Sequence, residues 1–131
     1  MQQNLLQRPR SLSAVADASS SYRDFGYHVA DFLHHFQGHP SFDSLAEEPQ
    51  LLADQFPEGH VADCYLAAIA VELATQLNHP RPAWAQHPLR FSHEPWFASP
   101  GPHMRALLLV ESPPGFRERN LFVTANALSV A

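Results

Sequence analysis

At 131 residues, 45% apolar and 16% charged, the chain is sized for one domain and is too apolar to remain disordered. Its one cysteine, Cys64, excludes a disulfide framework and a thiolate cluster for zinc. The net charge of −5 is uneven: Asp24 to Pro80 holds nine acidic residues and no arginine, which opposes nucleic-acid binding and favours a cationic partner or a metal ion.

Residues 1–12 offer little to bury and are expected to form a flexible N-terminal arm, with 13–131 a single helical domain. Ser21 followed by Asp24 has the pattern of a capping box, and Gly38 then Pro40 form a stop. Between them Tyr22, Phe25, Val29, Phe32, Leu33 and Phe36 recur at three- and four-residue spacing, which predicts an amphipathic helix over about 21–37. Ser44 with Glu47, and Pro49 at the first position of a new turn, predict a broken helical stretch running through Gln50–Phe56. Pro57-Glu58-Gly59 then reads as a turn.

His60 to Asn78 is apolar nearly all round, interrupted between Val61 and Leu77 only by Asp63, Glu72, Thr75 and Gln76. Such a stretch predicts a central buried helix. Pro80 to Pro102 carries six of the twelve prolines, too dense for regular helix or central strand. Its Trp84, Leu89, Phe91, Trp96 and Phe97 predict an ordered, extended segment clamped onto the helices. Met104–Glu111 favours a short helix by propensity, ended by Ser112-Pro113-Pro114. The expected fold class is therefore all-α: a compact helical bundle around a central buried helix at about 60–78, with the Pro/aromatic-rich segment 80–102 packed on it. No apolar run has signal-peptide or membrane-spanning length, so a cytoplasmic protein is expected.

Candidate chemistry is sparse. Asp24, His28, Asp31 and His35 share one helix face, and His28, Asp31 and His35 are the candidate ligands for a divalent metal. The alternative for this face is plain solvation. His60 and Cys64 lie one helical turn apart, a spacing that suits a thiolate and its base, although a lone cysteine on so apolar a helix is more simply a buried hydrophobe. Glu72 is expected to lie on the least buried strip with Ala68, Thr75 and Gln76 or to pair with an arginine. Trp84, Phe91, Trp96, Phe97, Arg117 and Arg119 are the candidate partner-binding residues, with internal pairing to the acidic helices as the alternative for the arginines.

Two segments, WAQHPLRFSHEPWF at residues 84–97 and SPPGFRERNLFV at 112–123, resemble motifs of a family of small bacterial proteins, over about Ser44 to the C-terminus. That family is similar to antitoxins encoded beside nucleotidyltransferase-like toxins. The resemblance brings no catalytic residue and no cofactor. It implies an interaction protein that neutralises a basic partner enzyme by complex formation. A metal-binding protein or metal-dependent enzyme, using the His/Asp face, is a second possibility, and a transcriptional regulator a third. A homo-oligomer is compatible with all three.

Overall fold

Helix α1 (Leu12–Ala18) opens where the arm was expected to end: Ser11 caps it by accepting from the Ala14 amide at 3.0 Å, and Leu12 is fully buried. The computed structural model describes residues 8–98 and 101–129, so most of the arm, residues 1–7, lies outside the described residues. Helix α2 (Tyr22–Gly38) has the expected capping box, with the Asp24 amide donating to Ser21 Oγ at 3.1 Å and the Ser21 amide donating to Asp24 Oδ1 at 3.0 Å. Its buried residues are Phe25, Val29, Phe32, Leu33 and Phe36, the aromatic-aliphatic stripe seen in the sequence.

The next stretch departs from expectation. Only Asp43–Ala46 forms a helical turn, α3, and Ser41 rather than Ser44 stands at its entry. Gln50–Phe56 is not helical. Its amides are taken elsewhere: Leu52 and Ala53 donate to the two carboxylate oxygens of Asp63 at 2.6 and 3.1 Å. A buried carboxylate with two backbone donors outcompetes one turn of local helix.

Helix α4 (Gly59–Gln76) buries twelve of its residues, including Ala62, Ala67, Ala68, Ala70 and Ala74. These small side chains let neighbours approach closely, and α4 packs against α2, against two short 3-10 turns (Ala83–Gln86 and Pro88–Arg90), and against a later short helix at Pro114–Arg117. At its start, a Cβ on Gly59 would stand 1.8 Å from the Leu52 carbonyl oxygen, so only glycine fits there. At its end Asn78 takes a left-handed conformation (φ 55°) and the His79 amide bonds back to the Ala74 carbonyl at 2.9 Å.

The proline-rich segment contributes more than an extended clamp. After the two 3-10 turns, Trp96–Phe97 forms a strand, β1, which pairs in parallel with β2 (Leu121–Phe122), Trp96 opposite Leu121 and Phe97 opposite Phe122. Helices α5 (Pro102–Glu111) and α6 (Pro114–Arg117) lie on the connection between them. The described chain is mostly helical with this one two-residue pairing, a modest departure from an all-α fold. Among the described residues, no helix is long and apolar enough to cross a membrane.

Candidate functional site

The segments 84–97 and 112–123 meet in space. The Trp96 amide donates to Asn120 O at 2.8 Å and the Ala98 amide to Phe122 O at 3.0 Å. Asn120, in a left-handed conformation (φ 64°), donates its side-chain amide to Ser92 O at 2.9 Å, while the Ser92 amide donates to Arg119 O.

Arginines lock this junction from inside. Arg119 is fully buried and donates to the carbonyls of Gly115 (2.9 Å) and Ala85 (2.6 Å) and to Gln86 Oε1 and Glu118 Oε2, with its guanidinium 4.4 Å from the centre of the Phe91 ring. Arg90, also fully buried, donates to the Pro49 carbonyl, lies 3.7 Å from Asp63 Oδ1 and stands 4.9 Å from the Trp84 ring. Burial pushes both guanidinium pKa values down, and the neighbouring carboxylates Asp63 and Glu118 oppose that. Trp84, 9% exposed, donates its indole N–H to Leu45 O at 3.0 Å.

Among the six candidate partner-binding residues, Trp84 and Arg119 therefore face the interior and offer nothing to a partner. Phe91 is half-buried beneath Arg119, Trp96 is half-buried against Tyr22, and Phe97 stacks on Phe122 with centroids 5.0 Å apart. Only Arg117 is exposed, and it donates to the Ser112 carbonyl at 2.7 Å. The arginines of the tail pair with carbonyls and with Glu118 rather than with the acidic helices. The inward turn of Arg119 depends in part on the Ala85 carbonyl from a distant segment, a signal no local pattern carries.

Glu72 lies half-buried on the less buried strip of α4 with the exposed Thr75 and Gln76, but Ala68 is fully buried, and the partner of Glu72 is not an arginine: its carboxylate accepts from the Gly115 amide at the start of α6 at 2.6 Å. A Cβ on Gly115 would meet Glu72 Oε2 at 2.8 Å. Cys64 is a buried hydrophobe. Burial, reinforced by the Asp63 carboxylate, pushes its thiol up to about 12, and His60 stands 3.8 Å away, so no thiolate forms near neutral pH.

The metal candidates do not converge. Among the described residues, no three His, Cys, Asp or Glu side chains are placed to hold a metal ion. His28 borders a surface hollow with Arg8 and Arg10, Asp31 borders a different groove with Tyr22 and Phe25, and His35 stacks on His39 with centroids 5.1 Å apart. Burial lowers the His35 pKa, and His39, Arg10 and Arg8 lower it further, a cationic setting that also opposes a divalent cation.

The surface feature that sequence reading missed is on α5. Leu107, Leu109 and Val110 are 43%, 49% and 78% exposed, and only Leu108 among the helix's described side chains is buried. At about 100° per residue these three fan across the side opposite Leu108. The run of apolar residues in MRALLLVE was visible, but an apolar run reads alike whether it is covered by its own chain or by another. No protein-family model, curated protein or solved structure matches the chain.

Proposed function

We propose that this protein acts by complex formation, as an antitoxin-type interaction protein that covers and neutralises a basic partner enzyme. The observation that carries this is the outer side of α5, where three neighbouring large aliphatic side chains face water. Contiguous exposed apolar surface of this kind is what a partner covers. The partner's charge is suggested by the chain's −5 balance and by the exposed acids Asp43, Glu47, Glu48, Asp54 and Glu58, which follow one another with no arginine between them. Long-range steering of a cationic protein by such a field does not require the charges to sit in the contact itself. The resemblance of residues 84–97 and 112–123 to antitoxin-type motifs supports a nucleotidyltransferase-like toxin as that partner.

The test is to co-express the chain with the product of the adjacent gene and to measure both association and the activity of that product. A stable complex in which the enzyme is silenced, lost on Val110→Asp with Leu107→Asp, is expected. A monomer that leaves the adjacent gene product fully active overturns the proposal.

A further inference from the structure

A groove of about 540 Å³ runs between α2, α4, β1 and the chain near residues 127–129. Its size is that of small-molecule sites. One end is walled by aromatic rings in succession: Trp96 meets Tyr22 edge-on at 6.3 Å, Tyr22 meets Phe25 at 5.8 Å, and Phe25 meets Tyr65 edge-on at 6.1 Å. Room for a guest is left by Gly26, where a Cβ would meet nothing within 4 Å. Trp96 is held in place by the β1–β2 pairing, and Tyr65 by its edge contact with Phe116 at 4.9 Å, so the wall is built on rigid elements.

We propose that this groove binds a small aromatic amine. Ring faces attract cations through their quadrupoles, and Tyr and Trp do so best. Asp31 is the carboxylate lining the groove. Apart from Tyr22 and its neighbour Arg23, which open α2, the helical walls come from the stretch Asp24–Pro80 with its nine acids and no arginine. Arg8 and His34 also line the groove and work in the other direction, which sets the comparison that tests the idea.

The experiment titrates the full chain by calorimetry with 2-phenylethylamine, 2-phenylethanol and phenylacetate, which share one ring and differ in charge. The amine is expected to bind on the order of tenfold more tightly than the alcohol, and the acid least. Asp31→Asn should weaken the amine about threefold and leave the alcohol unchanged. Gly26→Leu projects a side chain into the open space and should weaken the amine at least about tenfold, with the melting temperature unchanged or raised. Ala30→Leu, on the same lining, serves as the second plug should Gly26→Leu fail to fold. Absence of heat with all three probes, tightest binding of phenylacetate, or unaltered amine affinity in the plugged variant would each overturn the proposal.

Discussion

Arg90 and Asp63 stand 3.7 Å apart with no exposure of either side chain, joining a 3-10 turn of the proline-rich segment to the first turns of α4. The same Asp63 carboxylate holds the amides of Leu52 and Ala53, so one buried acid organises three separate segments. Removing one partner leaves an uncompensated buried charge. Arg90→Met and Asp63→Ala are each expected to cost roughly 3–5 kcal/mol in urea unfolding, and the double variant less than the sum of the two. Additive losses would show that the pair is not coupled.

Gly59→Ala tests the close approach at the start of α4. With a Cβ placed 1.8 Å from the Leu52 carbonyl oxygen, backbone must move. The expected loss is roughly 2–3 kcal/mol, the range of overpacking, even though alanine is the better helix former. Gly26→Ala in α2, which meets nothing, is the control and should be neutral or stabilising.

Cys64 should resist thiol reagents in the native state. At pH 8 an aromatic disulfide reagent is expected to label it only on the timescale of unfolding, and fully within seconds in guanidinium, because a buried thiol raised to about 12 presents no thiolate. Rapid native labelling would place the residue in an open site instead.

Asp24 predicts an acid limb in stability. Slight burial raises its pKa, but the Ser20 hydroxyl and the amides of Ser21 and Ser20 outweigh this and hold it below the ordinary 3.8. Because the folded value is depressed, the contribution is present above the unfolded value and is lost as pH falls from about 4 through the folded value. Melting temperature plotted from pH 6 to pH 2 should fall less steeply for Asp24→Asn than for the native chain. Ser21→Ala, which removes the other half of the capping box, should cost about 1 kcal/mol at neutral pH.

Leu107→Asp with Val110→Asp separates surface from core. Both side chains face water, so unfolding free energy should change by no more than about 0.5 kcal/mol each while solubility rises. Leu108→Asp, on the buried side of the same helix, should instead unfold the region, as read by circular dichroism.

Local chemistry was legible where its cause is local. Helix α2 follows from a cap at Ser21, a stripe of six apolar residues and a stop at Gly38, all within one stretch of chain. The apolar girth of α4 likewise announces its burial. What could not be read is set by remote partners. Gln50–Phe56 loses its helix to a carboxylate on α4, two two-residue strands exist only through each other, and Arg90 and Arg119 turn inward toward the carbonyls of Pro49 and Ala85 from distant segments. The candidate site followed the same division. Aromatic and arginine residues of the two motifs looked like surface recognition elements, yet several of them form the internal junction, and the exposed surface lies on the helix between the motifs.

The β1–β2 pairing brings together two points of the chain separated by α5 and α6, and α6 is pinned beneath them by Glu72 and Arg119. Helix α5 thus hangs as a loop excursion fastened at both ends, with Leu108 as its inward anchor. Insertions, deletions and side-chain replacements along its outer side leave the fastenings intact. Selection for a new binding partner can then act on that helix alone, and variation among descendants of this chain should concentrate on the outer side of α5 while the knot formed by the strands and α6 stays constant.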